Sequence, residues 1–386
     1  MTARDNLTQI EGYDRVLDEV KTARRYGADY RTMKGEVARV LDLLHPKSLR
    51  LRVSEVIEET PSTKTLRMVS ETGYLPPFEA GQYINLFAEV AGVRTSRPYS
   101  ISSAPSETAY YDVTVRAQQG GFVSDHLLSR VKAGDRFEAA GPAGQFRYNP
   151  LIHGKELVFI AGGSGITPFM SMIREATDRG LDRAMHLIYG NRVEGDIIFH
   201  NELKERAARH KNFTYTPVIS EPSKGCVALT GFMSAELMKK VLSGVQGKNF
   251  FLCGPGALYD FCMPELGKLG VPENRTRREM FGAPTDITAD PGWPRGVKAG
   301  TRFSIKVKGK GDVSALAHEP LLVSLERAGF TVPVLCRSGE CSMCRVKLLS
   351  GKVFQPRGAH VRASDLKYGY VHSCAAYPIE DCEVLL

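Results

Sequence analysis

Four cysteines near the C-terminal end constrain this chain most: Cys336, Cys341, Cys344 and Cys374. The first three stand in C-R-S-G-E-C-S-M-C, a C-x4-C-x2-C run, and the fourth follows after 29 further residues. A zinc site favours paired C-x2-C units. One C-x4-C joined to one C-x2-C, with a distant fourth cysteine, is the spacing that ligates a [2Fe–2S] cluster. Three thiolates converging on one small cluster need a tight loop. Gly339 is free to take backbone angles that other residues resist. Backbone N–H groups from Arg337 to Cys344 can then turn inward toward a negatively charged cluster. Such a cluster moves one electron at a time, so the rest of the chain is expected to supply electrons or receive them.

The surroundings of these cysteines resemble a plant-type ferredoxin domain over residues 301–386. The matching pieces are EPLLVSLERAGFTVPV at 319–334, the cysteine loop, LLSGKV at 348–353 and YVHSCAAYPIEDCEVLL at 370–386. The resemblance implies a β-grasp fold, a small mixed sheet with one packed helix and a cluster loop near the surface. The residues agree independently. Residues 303–307 alternate like a strand, and 320–328 carry Leu321, Leu322 and Leu325 at helical spacing, closed by Gly329.

At 386 residues the chain exceeds one ordinary domain. No run of 18 apolar residues exists, so membrane insertion is not expected, and the N-terminus lacks a secretory pattern; a cytoplasmic location is expected. Eight cysteines in such a chain do not suggest a disulfide framework. Cys226, Cys262 and Cys382 are expected to be small buried hydrophobes. The net charge of +8 suits an acidic partner or the phosphates of nucleotide cofactors. No dense Arg/Lys run with interleaved aromatics points to nucleic acid.

The pattern predicts a multidomain α+β chain. Residues 1–50 form a helical N-terminal extension with amphipathic helices at about 13–25 and 30–44. Residues 51–149 form a strand-rich antiparallel β-barrel. Residues 150–285 alternate strands and helices, which implies an α/β domain with a parallel sheet. Residues 286–300, with two prolines and three glycines, read as a linker, and 301–386 form the β-grasp domain.

Two strings mark the barrel: Arg-Pro-Tyr-Ser at 97–100 and GGFVSDHL at 120–127. Together they resemble the flavin barrel of the ferredoxin–NADP reductase family. The resemblance implies that Arg97 pairs with the flavin pyrophosphate, that Pro98 belongs to the same string, and that Tyr99 lies against the isoalloxazine ring. It implies that Ser100 hydrogen-bonds near N5, and that Gly121, Val123 and Ser124 surround the pyrophosphate. Each role suits its chemistry. An arginine forks onto phosphate oxygens, a tyrosine offers a flat apolar face with a polar tip, and a hydroxyl near N5 can steady the atom that accepts hydride. The flavin is expected to be FAD; some relatives with an attached ferredoxin domain use FMN.

The apolar run LVFIA at 157–161 is followed by G-G-S-G-I-T-P at 162–168 and a helical stretch. A buried strand, a glycine turn and a helix N-terminus make an anion site. Gly162, Gly163 and Gly165 let the backbone approach closely, with Thr167 expected to cap the helix and Pro168 at its first position. The string is not the G-x-G-x-x-G fingerprint; it resembles the corresponding loop of the same reductase family. F-L-C-G-P at 251–255 supports it, and the resemblance places Cys253 beside the nicotinamide C4 with Gly254 and Pro255 shaping the pocket. Y-G-N-R at 189–192 ends another strand and should bring Asn191 and Arg192 near the adenosine ribose. Arg192 meeting a 2′-phosphate would favour NADPH; DIIF at 196–199, as in many NADH-using relatives, favours NADH. Phe281, in REMFG at 278–282, resembles the aromatic that covers the flavin face.

The three modules in series resemble reductase components of multicomponent oxygenases and demethylases. Expected is an NAD(P)H-dependent enzyme that passes electrons through a flavin and a [2Fe–2S] cluster to a partner metalloprotein, an oxygenase, a demethylase or a corrinoid protein. The alternative is a self-contained NAD(P)H oxidoreductase acting on a quinone or other small acceptor. A non-enzymatic redox sensor is disfavoured by the intact hydride-transfer strings. Residues 1–50 match none of these modules and read as a helical cap on the barrel or a dimerisation element, ahead of an acceptor-docking element. Deleting residues 1–45 should therefore lower the melting temperature more than it raises the KM for an acceptor; unchanged melting with lost acceptor coupling would reverse that reading.

Overall fold

The structure is a computed structural model and describes residues 11–25, 35–44 and 46–386, apart from 281, 285 and 357. It divides into two compact units, residues 1–47 and 48–386. In the first, α1 (Tyr13–Arg25) and α2 (Glu36–Leu44) are amphipathic helices. Their apolar stripe is exposed at Val16, Val37, Val40, Leu41 and Leu44.

The second unit begins with a six-stranded antiparallel sheet: β1 (Leu49–Thr60), β2 (Thr63–Ser70), β3 (Tyr83–Val90), β4 (Val93–Ser100), β5 (Tyr111–Arg116) and β6 (Arg136–Ala143). Their order is β4-β3-β6-β1-β2-β5. An antiparallel bridge between Ile101 and Val113 ties the continuation of edge strand β4 to the other edge strand, β5, and curls the sheet into a barrel. Its inward residues, among them Leu51, Val53, Leu66, Met68, Ile84, Leu86 and Val113, form one apolar core. Helix α3 (Phe122–Arg130) covers one end through buried Val123 and Leu127.

A parallel sheet follows: β7 (Glu156–Gly162), β8 (Ala184–Asn191), β9 (Phe213–Ile219), β10 (Leu229–Thr230), β11 (Asn249–Cys253) and β12 (Thr276–Glu279), in the order β10-β9-β8-β7-β11-β12. β7 and β11 are buried along almost their whole length, as expected for strands covered on both faces. The chain winds from β7 outward to β10, then returns to β11 on the other side of β7. That reversal is the switch point at which open α/β sheets bind ligands. Helices α4 (Thr167–Asp178), α5 (His200–Arg209), α6 (Ala235–Val241) and α7 (Gly256–Lys268) connect the strands. Two apolar cores lie on the sheet: one holds Phe159, Phe169, Ile198 and Phe251, the other Ile160, Ile188, Phe250 and Leu252.

The third module pairs β13 (Arg302–Val307), β14 (Gly311–Leu316), β15 (Arg345–Ser350), β17 (Tyr370–His372) and β19 (Cys382–Leu385) in the order β14-β13-β19-β15-β17. β13 and β19 are parallel and the other pairs antiparallel. Helix α8 (Leu321–Arg327) lays Leu321, Leu322 and Leu325 on the sheet, and a small ribbon joins β16 (Val353–Phe354) to β18 (Tyr377–Pro378). Helix α9 (Ala363–Lys367) precedes β17. The segment at 286–300 is anchored rather than loose. Ile287 and Trp293 are buried with Ala317 and Tyr377, Trp293 packs edge-on against Phe354 at 5.3 Å, and its indole N–H donates to the Val297 carbonyl at 2.8 Å. Cys262 and Cys382 are buried as expected, but Cys226 is half-exposed beside Glu194 because it sits in a surface turn.

The switch point tolerates no side chain at Gly165: a Cβ there would lie 2.0 Å from the Cys253 carbonyl oxygen and 2.7 Å from the Gly254 Cα. These are backbone atoms, so the two loops would have to part. Gly165→Ala should destabilise by roughly 1–3 kcal/mol, the cost of overpacking. Gly256→Ala, with nothing within 4 Å of its Cβ, should be neutral or slightly stabilising; denaturant melts of both variants check the contrast.

Candidate functional site

A cavity of about 790 Å³ opens where the barrel meets the carboxyl ends of the parallel strands. β4 contributes Pro98, Tyr99 and Ser100; the loop after β7 contributes Gly162, Gly163, Gly165 and Thr167; β8 contributes Asn191 and leads into Arg192; β11 and its loop contribute Cys253, Gly254 and Pro255. Residues more than 150 positions apart in sequence thus face one space. Pro168 is not among its lining.

The Gly-rich loop is a 3-10 turn (Gly163–Ile166) that runs directly into α4. This corrects the expected cap. Ile166 occupies the capping position, Thr167 is the first helical residue and Pro168 the second, and the Thr167 hydroxyl donates to the Ser164 carbonyl at 3.1 Å. The extra turn between strand and helix moves the helix start by one residue. Gly163 has φ +52, in the left-handed region that glycine enters without strain, and its carbonyl accepts from the buried Tyr189 hydroxyl at 2.8 Å.

Cys253 is fully buried, and burial, followed by the nearby Glu279 carboxylate, pushes its thiol well above the usual range. It is therefore a thiol rather than a thiolate. Glu279 pairs with it across the parallel strands. Burial also raises the Glu279 carboxyl well above normal, with Glu340 and Cys336 adding to the effect. Its Oε2 has no hydrogen-bond partner among the described residues. Tyr259 braces this corner: its hydroxyl donates to the Glu279 carbonyl and accepts from the Gly254 N–H.

Arg97 lies outside the cavity lining. Its Nη1 donates to the Ser96 carbonyl at 2.7 Å and to the Thr95 hydroxyl at 3.0 Å. Gly121, Val123 and Ser124 sit at the N-terminus of α3, also outside that lining. Arg192 is exposed and pairs loosely with Glu221 at 3.7 Å. Phe281 lies outside the described residues; its neighbour Met280 is exposed.

In the third module Cys336, Cys344 and Cys374 are buried and Cys341 half-buried. The Cys344 and Cys374 sulfurs lie 3.2 Å apart, and the Cys341 N–H points at the Cys336 sulfur at 3.4 Å. The loop bends through left-handed angles at Arg337 (φ +55), Gly339 (φ +85) and Ser342 (φ +60). From below, His372 contacts the Gly339 carbonyl at 2.9 Å and Asp365 at 3.2 Å.

The residues present fit the groups their motifs imply. Around the cysteines, the buried hydroxyls of Ser338 and Ser342 lack partners among the described residues, as donors facing the acceptor sulfurs of a cluster would. In the cavity the Ser100 hydroxyl and both amide atoms of Asn191 are buried and unpartnered, and so is Ser124 at α3. Buried polar atoms ordinarily have partners, so these mark places for polar groups of a ligand.

Residues not anticipated from sequence also face the cavity or its rear wall. Arg116, at the end of β5, lines the cavity and pairs with Asp196, which also accepts from Thr60 and Ser62 at 2.6 Å each and so ties barrel to sheet. Phe232 and Phe261 form a tilted aromatic pair 5.7 Å apart in its wall. Of these and the residues above, Glu279 carried a signal in the REMFG string and Asp196 in the DIIF string.

Comparison with known proteins follows these three modules. Residues 49–148 match the oxidoreductase FAD-binding domain, 159–263 the oxidoreductase NAD-binding domain, and 305–378 the 2Fe-2S iron-sulfur cluster binding domain. The chain is 30% identical over 353 residues to the ferredoxin reductase component of 3-ketosteroid-9-alpha-monooxygenase from Rhodococcus rhodochrous, covering 87% of this chain and 95% of that protein. It is 27% identical to the glycine betaine monooxygenase reductase subunit of Pseudomonas aeruginosa, covering 86% and 93%. Among solved structures it resembles phthalate dioxygenase reductase, with a TM-score of 0.64, 25% identity and coverage of 88% and 97%. With three family domains in this order and a relative matched along almost its whole length, the chain belongs to the family of flavin- and [2Fe–2S]-containing, NAD(P)H-dependent reductase components.

Proposed function

We propose that this reductase, located in the cytoplasm, takes electrons from NADH and delivers them through its [2Fe–2S] module to a partner metalloprotein, an oxygenase or demethylase. One observation carries the reading: β4 lines the hydride-transfer cavity with Tyr99 and Ser100 and lies against the cluster-loop module through Thr95 and Ser96. When bound, the nicotinamide supplies a hydride, the flavin converts that two-electron input into single electrons, and the cluster carries them singly.

The chain's own residues prepare that chemistry. Tyr99 offers a half-buried ring to the flavin face, and the unpartnered Ser100 hydroxyl donates toward N5. Gly121, Val123 and Ser124 hold phosphate at the α3 N-terminus with Arg97. Gly162, Gly163 and Gly165 bring backbone N–H groups up to the dinucleotide, and Thr167 and Pro168 start the helix behind them. Gly254 and Pro255 turn the chain so that Cys253 would present a neutral thiol beside the nicotinamide. Phe281, by its place in the REMFG string, would be the aromatic that covers the flavin. Cys336, Cys341, Cys344 and Cys374 hold the cluster.

NADH is favoured over NADPH by Glu221. Its carboxylate answers the charge of Arg192 beside Asn191 and would repel a 2′-phosphate, while accepting from a ribose hydroxyl. The relatives favour a protein acceptor: two serve monooxygenases, and a third is the stachydrine N-demethylase reductase subunit of Rhizobium meliloti.

Removing one cluster ligand separates the halves of the relay. Cys374→Ser should keep NADH-driven ferricyanide reduction, which draws on the flavin, within about twofold of wild type. It should lose at least 90% of the reduction of a protein acceptor, here taken as cytochrome c. Equal retention of both activities would show that electrons leave from the flavin and that a small acceptor is the natural one.

A further inference from the structure

The cluster-loop module is fastened to the barrel by a buried polar chain that none of the motifs accounts for. Arg337, the residue after the first cluster cysteine, forks onto Glu326 of α8 at 2.7 and 2.8 Å. Both side chains are more than 90% buried. Glu326 Oε2 also accepts from the Thr95 hydroxyl of β4 at 2.9 Å, and Arg337 Nη1 donates to the Ser96 hydroxyl at 3.2 Å. Asn85 of β3 donates to Ser96 at 3.0 Å and to the Val334 carbonyl, two residues before Cys336, at 3.0 Å. At the other end Thr95 accepts from Arg97, the arginine of the flavin string. Phe87 of β3 packs against the apolar core of the cluster module beside this chain.

A buried ion pair contributes little net stability, because desolvation cancels most of the attraction. Its demand for complete hydrogen bonding makes it a device for selecting one arrangement. Here, among the described residues, the demand is met by hydroxyls of the barrel. Arg337 also adopts φ +55, a conformation that costs a non-glycine residue energy and persists only when its surroundings over-determine it. A lysine would not supply the fork.

The geometry points to Arg337 and Glu326 as positioning residues: a latch that makes the working conformation of the cluster loop depend on its docking against β4, and so sets the distance from flavin to cluster. The role rests on the relay reading above, because a reductase that discharged from its flavin would need no such register. It assigns Thr95 and Ser96 a part in electron delivery without contact with any cofactor.

The test uses the full chain loaded with flavin and cluster. Thr95→Val combined with Ser96→Ala cuts the barrel side of the chain, together with the Thr95–Arg97 bond while the Ser96 carbonyl still holds Arg97, and Glu326→Gln cuts it from within. Anaerobic rapid mixing with NADH follows flavin and cluster bleaching separately, and amide hydrogen exchange follows residues 334–344. In both variants flavin bleaching should stay within about twofold of wild type and cluster bleaching should slow at least tenfold. Exchange in the loop should quicken at least fivefold, and the electron paramagnetic resonance signal of the dithionite-reduced cluster should keep its shape. Wild-type cluster bleaching and wild-type exchange in the Thr95/Ser96 double variant would overturn the latch and leave the ion pair a role in folding its own module. Should Glu326→Gln lose its cluster on purification, the double variant decides alone. If the wild-type cluster never bleaches, the relay reading fails, while exchange in the double variant still reports on the latch.

Discussion

Strand β4 is the piece on which the rest of this molecule depends. Along eight residues it presents Thr95 and Ser96 to the cluster module and Pro98, Tyr99 and Ser100 to the cavity. The two sets occupy successive stretches of the strand, 95–96 and 98–100, rather than its two faces. Both environments are thus built along one backbone whose position is set by its ladder with β3. A one-residue slip of that ladder would turn each of these side chains to the other face and disable both. Arg97 stands between the two sets, half-buried, its guanidinium held by Thr95 and Ser96. Burial and the neighbouring Arg337 lower its affinity for a proton, so an anion brought near it would relieve a real electrostatic cost.

The second constraint is the switch point between β7 and β11. There the Gly162–Thr167 loop and the Cys253–Pro255 loop approach until their backbones touch, which is why glycine stands at 162, 165 and 254. Burial of Cys253 and Glu279 follows from the same closeness. Burial raises the proton affinity of both side chains. Arg116 with Asp196 closes the opposite flank, leaving a cleft whose walls belong to two domains.

Much of this was legible in the sequence because it is local. The cysteine spacing, the glycine loop before α4 and the short apolar strands β7 and β11 each depend on a few consecutive residues. Their convergence was legible only through the family resemblance, since periodicity does not say which loops meet. What escaped was long-range or depended on burial. Glu326 reads as one more charged residue near the end of a helix, and Arg337 as an arbitrary position within a cysteine loop. Their pairing, and its completion by Thr95 and Ser96, joins positions more than 200 residues apart. The cap at Thr167 was misplaced by one residue because a 3-10 turn intervenes, and turn type is weakly encoded. Residues 286–300 read as an interdomain linker from their prolines and glycines, and that composition does not reveal the two anchors, Ile287 and Trp293, that tie the segment down.

The central claim is that cavity and cysteine loop are successive stations of one path. Anaerobic titration of the purified protein with NADH, following flavin and cluster absorbance together, addresses it most directly. The account predicts that the flavin bleaches first and the cluster follows before excess NADH is needed. A flavin that bleaches while the cluster stays oxidised would contradict it, and would make the flavin itself the point of exit.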